Sequence, residues 1–255
     1  MTLEILTIPC LSDNYAFLAH DPETGTTALI DAPEAAPIEV ILSAKGWNLD
    51  IVLLTHHHFD HVEGLPELRE RYNPVVIGAK ADAHRLPPLD IEVAEGDTVR
   101  IGSENGTVID VSGHTLGHVA FYFAASKAVF TADSLMALGC GRVFEGTFPM
   151  MWESLSKLAA LPADTTVYSG HEYTQSNGRF AATIEPDNPD LAARIADIAE
   201  ARDSNLATVP SLLSLELATN PFLRASQPSV KAALGMEDAS DAEVFAEIRS
   251  RKDKF

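Results

Sequence analysis

Basic residues are scarce: 18 Lys and Arg stand against 37 Asp and Glu, a formal net charge of −19. Holding a nucleic-acid backbone requires a basic surface, so no nucleic-acid partner is expected. Cysteine is scarcer. Cys10 and Cys140 are the only two and form no C-x-x-C pair. That excludes a disulfide framework and suits an intracellular enzyme. No apolar run approaches the roughly 18 residues of a membrane span. The opening stretch MTLEILTIPC has neither the basic start nor the long apolar segment of a signal peptide. These absences lead us to expect a cytoplasmic protein with no membrane partner.

What is present is a globular balance, 46% hydrophobic and 22% charged. A chain of 255 residues can form one large domain, or a domain with a smaller companion. The charge is uneven. The closing IRSRKDKF sets Arg249, Arg251, Lys252 and Lys254 against Asp253, which alone reads as a solvated terminus.

Along the chain, Leu3 to Pro9, Tyr15 to Ala19 and Thr26 to Ile30 have strand patterns, the last two joined at Pro22 to Gly25. Residues 37–45 form an amphipathic helix ending near Gly46. A strand at Ile51 to Leu54 runs into a histidine-rich loop, and a helix follows from about Val62 to Tyr72. Strand patterns recur at 75–78, 98–101, 107–111, 119–123, 128–132 and 166–168, with a hairpin turn expected at Asn105-Gly106. A helix is expected over 152–161. Beyond about residue 174 the strand patterns vanish. Leu191, Ile195 and Ile198 have helical spacing, Pro228 opens a helix that stops at Gly235, and Ser240 with Glu243 forms a capping box.

The chemistry concentrates in THHHFDH, residues 55–61. Imidazole and carboxylate are ligands of zinc, iron and manganese. Crowding His56, His58, Asp60 and His61 together would be costly without a cation. His57 should face away, because neighbours in an extended segment point to opposite sides. Further candidates sit at the ends of later strands: His114 in VSGHTLGH, Asp133 in VFTAD and His171 in VYSGHEYT. His118 suits a supporting role, and His20 and His84 read as ordinary core or surface residues.

Together these motifs resemble the metallo-β-lactamase superfamily. The resemblance implies an α+β fold, a four-layer αββα sandwich followed by a small C-terminal α-helical domain. It implies a catalytic part over residues 1–173 and a helical, substrate-binding part over 174–255. It assigns His56, His58 and His114 to one metal, Asp60, His61 and His171 to a second, and Asp133 to both. LSDNY, GCGRVFEGT, NPFLR and the basic tail narrow the likeness to the hydroxyacylglutathione hydrolases, from about residue 3 to 255. Carried over from that family, Arg142, Tyr173, Arg249 and Lys252 contact glutathione. Where some members have Lys and Tyr in this motif, Arg142 and Phe144 stand here, so one phenol hydrogen bond is missing.

The implied activity is hydrolysis of S-(2-hydroxyacyl)glutathione thioesters by a metal-bridged hydroxide oriented by Asp60 and Asp133. The implied cofactors are two divalent ions, zinc first, with iron or manganese as alternatives. The partner is a small-molecule glutathione thioester, and a monomer is expected. A mononuclear-iron persulfide dioxygenase and a non-catalytic metal-binding module are the competing readings.

Overall fold

A computed structural model describes residues 2–255. The chain divides into two compact units, Met1–Asp110 with Leu116–Ala132, and Val111–Thr115 with Asp133–Phe255.

The first unit holds two sheets. One has six strands in sequence order: β1 (Glu4–Cys10), β2 (Asn14–His20), β3 (Thr27–Ile30), β4 (Ile51–Leu54), β5 (Val75–Ala79) and β6 (Ile91–Val93). Pairing is antiparallel from β1 to β3 and parallel from β3 to β6. The parallel strands read as continuous apolar runs because both faces are covered. Helices α1 (Ala35–Lys45) and α3 (Leu65–Tyr72) cover one face, where Ile38, Leu42, Leu65 and Leu68 pack with Leu18, Leu29, Val52 and Val76. The second group of strands is an antiparallel meander: β7 (Thr98–Ile101), β8 (Glu104–Asp110), β9 (Val119–Phe123) and β10 (Ala128–Ala132). Phe17 of β2 meets Phe130 of β10 with ring centroids 5.7 Å apart, which closes the two sheets on a shared core.

Two sequence expectations change here. The Asn105-Gly106 turn lies inside β8; the chain reverses at Gly102-Ser103, between Ile101 and its partner Glu104. Gly106 is needed for space, because a Cβ there would lie 2.7 Å from the Phe123 ring. The helix expected from Val62 to Tyr72 is broken. A short α2 (Phe59–Val62) precedes it, and Gly64 donates its N–H to the Ala32 carbonyl before α3 begins.

The second unit contains the ribbon β11 (Leu135–Met136) and β12 (Gly139–Cys140), the pair β13 (Thr166–Ser169) and β14 (Ser211–Leu212), and six helices. These are α4 (Phe148–Ala159), α5 (Thr174–Ile184), α6 (Pro189–Asp203), α7 (Leu213–Thr219), α8 (Pro228–Leu234) and α9 (Asp241–Lys254). The short β14 is a strand where the sequence shows none. The helix expected over 152–161 starts earlier, at the Thr147 cap, whose side chain accepts from Met150 N. The Ser240–Glu243 capping box forms as read. Phe180, Phe222 and Phe245 build the core of this unit, with Phe222 6.1 Å from Phe245 and 5.9 Å from Phe180.

That core has a specific task. Helix side chains hold the backbone of the 136–140 segment residue by residue. Asn220 donates to the Met136 and Gly139 carbonyls, Asn177 to the Ala137 carbonyl and Arg249 to the Cys140 carbonyl. The Glu216 carboxylate accepts from Leu138 N and is neutralised by buried Arg194. A loop that would otherwise bury unsatisfied backbone is fixed instead. It is the loop that joins Asp133 to Arg142.

Candidate metal centre

In the first unit the parallel register explains the histidine cluster. Ile30 of β3 pairs beside Leu53 of β4, so Asp31 and Thr55 emerge side by side at the carboxyl ends of their strands, where ligands bind in open parallel sheets. Asp31 adopts φ +57°. Its Oδ1 accepts from Thr55 N at 2.8 Å, and its Oδ2 accepts from Thr55 Oγ1 at 2.8 Å and His61 Nδ1 at 2.9 Å. Thr55 has then spent its proton on Asp31, so its oxygen accepts from His56 Nδ1 at 3.0 Å. These bonds set the tautomers: Nδ1 of both His56 and His61 carries the proton, and Nε2 carries the lone pair. His56 Nε2 lies 3.1 Å from His58 Nδ1. Asn14 donates to both the carbonyl and the carboxylate of Asp60, whose Oδ2 is 3.8 Å from His61 Nε2. His57 turns instead to Asp82, at 2.9 Å, and Asp82 also binds Arg85. His118 is fully buried, its ring 4.6 Å from that of His56. His20 is a satisfied core residue, bonded to Thr27 and stacked on Trp47.

In the second unit His114 Nδ1 lies 2.7 Å from the Arg142 carbonyl oxygen. A carbonyl only accepts, so Nδ1 carries the proton and Nε2 presents its lone pair to Asp133 Oδ2 at 3.5 Å. His171 Nε2 lies 3.3 Å from Asp133 Oδ1. Tyr173 stacks on His171 at 4.6 Å, and Phe144 lies 5.3 Å from the His114 ring.

The donor set fits a divalent ion. Two ligands on one zinc-like ion at about 2.0–2.2 Å are themselves roughly 3.0–3.6 Å apart, which is the spacing of the His56–His58, His114–Asp133 and His171–Asp133 pairs. Lone pairs aimed at one another or at a carboxylate repel unless a proton or a cation lies between them. A histidine ligand donates its other ring N–H to a carboxylate or carbonyl, as His61 does to Asp31 and His114 to Arg142. Asp31 lies just past the strand pattern that ends at Ile30, and nothing in its sequence neighbourhood marks it. It is a positioning residue, since its oxygens are already committed to Thr55 and His61.

Beside His114 and Asp133 opens a cavity of about 750 Å³, also lined by Cys140, Arg142, Phe144, Tyr173, Arg179, Arg249, Lys252 and Phe255. All four residues carried over for glutathione line it, and a further cation, Arg179, lines it with them. Arg249 is only 3% exposed. Its Nη1 donates to the Cys140 carbonyl and its Nη2 to Asp253. The fork is therefore not open for a bidentate grip, and Nε is buried with no hydrogen-bond partner among the described residues. The Arg142 side chain is 62% exposed, its Nε 3.7 Å from Asp253. Lys252 lies between the Phe180 and Phe255 rings. Its burial, with Arg249, Arg179 and Arg142 nearby, brings its pKa down to about 8.

Residues 12–171 match the model of the metallo-β-lactamase superfamily. Fold and donor set define a divalent-metal protein of that class. The crystal structure of ETHE1 from Myxococcus xanthus has the same fold, with a TM-score of 0.67 at 24% identity over 98% of this chain and 90% of that one. TTHA1623 in a di-iron-bound form gives a TM-score of 0.61 at 26% identity over 86% of this chain and all of that one. Residues 172–255 match the model described as the hydroxyacylglutathione hydrolase C-terminus. A Ruegeria pomeroyi protein named hydroxyacylglutathione hydrolase is 65% identical over the full length of both chains. The chain belongs to the hydroxyacylglutathione hydrolase family, and the α+β fold with a C-terminal helical region is the one expected. No helix among the described residues is long and apolar enough to cross a membrane.

Proposed function

We propose that the protein hydrolyses S-(2-hydroxyacyl)glutathione thioesters, converting S-D-lactoylglutathione to glutathione and D-lactate in cytoplasmic methylglyoxal detoxification. The observation that carries this reading is the cavity that joins His114 and Asp133 to Arg142, Tyr173, Arg249 and Lys252. A strongly acidic chain has gathered cations at one place, and glutathione carries a carboxylate at each end.

We assign His56, His58 and His114 to one ion, Asp60, His61 and His171 to another, and Asp133 to both, with zinc as the first choice and iron or manganese as alternatives. Bound by these residues, such a pair of ions would supply a hydroxide at neutral pH and would polarise a thioester carbonyl. The chain's own residues do the rest. Asp31 and the Arg142 carbonyl hold His61 and His114 in the donor tautomer. Asn14 fixes the Asp60 carboxylate, which with Asp133 orients the attacking oxygen. Arg142, Lys252 and the buried charge of Arg249 attract the tripeptide, and Tyr173 borders it. The leaving group is a thiolate whose acid has a pKa near ~8.5, so no strong acid is needed. We take residues 1–173 as the catalytic part and 174–255 as the substrate-binding part of a monomer.

The test compares metal-loaded protein on S-D-lactoylglutathione and on a short lactoyl thioester without glutathione. The expected preference in kcat/KM is about a hundredfold or more. Equal rates on both would contradict the reading.

A further inference from the structure

Glu216 of α7 is fully buried, and both oxygens of its carboxylate are occupied. Oε2 accepts from Leu138 N at 2.9 Å and from Asn220 Nδ2 at 3.1 Å. Oε1 accepts from Ser211 Oγ at 2.6 Å and from the Arg194 guanidinium. A buried ion pair is by itself weak evidence for stability, because the desolvation of two ions offsets much of their attraction. The backbone that this carboxylate holds supplies another reason for it.

Two segments meet at Glu216. Leu138 stands at the turn of the β11–β12 ribbon with φ +54°, a conformation that is unfavourable for leucine and persists only where the surroundings hold it. At the open end of the ribbon, Gly141 N donates to the Ser134 carbonyl, next to Asp133, and the carbonyl of the following Arg142 orients His114. The second segment is β14. Ser211 pairs with Val167 of β13, and β13 runs on through Gly170 to His171. One side chain therefore binds the ribbon that follows Asp133 and the strand paired beside the one that leads to His171. His171 Nε2 and Asp133 Oδ1 are 3.3 Å apart, the spacing of two ligands on one ion. Such groups must be held within about 0.5 Å. Neither β11–β12 nor β13–β14 is long enough to do this alone, since each consists of two residue pairs.

We propose that Glu216 is a positioning residue for the metal centre. Its hydrogen bonds to Leu138 N and Ser211 fix the distance between Asp133 and His171, so the helical region sets metal affinity as well as lining the cavity. This rests on the reading of Asp133 and His171 as metal ligands and adds to it the residue that spaces them. The two hydrogen bonds perform the task, and Arg194 supplies the balancing charge.

Two double variants separate positioning from stability. Glu216→Gln with Arg194→Met removes both charges but keeps both bonds, because the amide oxygen accepts from Leu138 N and the amide N–H donates to the Ser211 hydroxyl. Glu216→Leu with Arg194→Met fills the same space with apolar groups and loses both bonds. Val230→Ala, a truncation of a buried residue on α8, controls for destabilisation alone. Zinc affinity, measured on the metal-loaded proteins by competition with a chelator, is read beside the melting temperature. The glutamine double variant and Val230→Ala are expected to stay within about twofold of wild type. The leucine double variant should bind about tenfold more weakly. Ser211→Ala cuts one bond and keeps the charge pair; it should lose about threefold, and it decides the matter if the leucine double variant does not fold. Wild-type affinity in the folded leucine double variant or in Ser211→Ala overturns the role of Glu216 and leaves the metal centre standing. So does an equal loss in Val230→Ala at the same melting temperature. Wild-type protein that binds no divalent ion overturns the reading of the centre, and this inference with it.

Discussion

The imidazole Nδ1 of His114 lies 2.7 Å from the carbonyl oxygen of Arg142. One residue thus offers its backbone to orient a histidine of the proposed metal set and its side chain to the adjoining cavity. The neighbouring Gly141 permits the contact, since a Cβ there would collide with the Asp133 carbonyl oxygen and come within 2.9 Å of His114 Nδ1.

The two functions of Arg142 can be separated. Arg142→Ala keeps the carbonyl in place, so KM for the glutathione thioester is expected to rise several-fold at unchanged metal content, the pattern of lost uniform binding. Gly141→Ala displaces both Asp133 and His114. Elemental analysis of that variant should show metal loss, with activity falling in parallel.

Asp31 carries three hydrogen bonds beneath the histidine cluster. Asp31→Ala leaves Thr55 N and the His61 ring N–H without their acceptor, at a cost of about 1–3 kcal/mol for each buried group. Metal affinity, measured by competition with a chelator, should fall by about 10–100-fold. Unchanged affinity would mean that the tautomer of His61 is set by something else.

His57 and His58 are adjacent but differ in partner. His57→Ala breaks the contact with Asp82 and should leave metal stoichiometry unchanged, whereas His58→Ala should lower it. Equal loss in both would contradict the facing assigned to this loop.

Lys252 gives a pH dependence. Burial first, then the positive fields of Arg249, Arg179 and Arg142, bring it from the usual 10.5 to about 8. The ammonium is present below that pH and lost above it, and a carboxylate ligand needs the ammonium. In consequence kcat/KM for the glutathione thioester, which reports the free enzyme, should fall as pH rises through about 8. Arg179→Gln removes a like charge and should move that fall to higher pH. Lys252→Gln should abolish it.

The histidine loop stands out in the sequence because so many side chains able to bind a metal fall in so few residues, and the structure brings His56, His58 and His61 together; the tail helices were legible from Ser240, Glu243, Pro228 and Gly235. What was hidden came from long-range packing. Asp31 gains its role only when β3 lies beside β4. The local turn signal at Asn105-Gly106 yields to the Phe123 ring. The basic tail reads in sequence as a cluster of available charges, yet Arg249 is buried and bonded to a carbonyl 109 residues away. It cannot be cut off without releasing the loop that carries Arg142. Arg179 gave no signal, because the tail and loop cations that line the cavity with it, Arg142, Arg249 and Lys252, lie far from it in sequence.

The central claim is that seven ligands hold two ions that act together. Metal-free protein titrated with zinc, with bound metal and S-D-lactoylglutathione hydrolysis read at each point, tests it most directly. The account predicts that activity rises to a plateau at two equivalents, and that Asp133→Ala binds fewer ions and loses most of its activity. Full activity at one equivalent, or hydrolysis in the absence of metal, would contradict it.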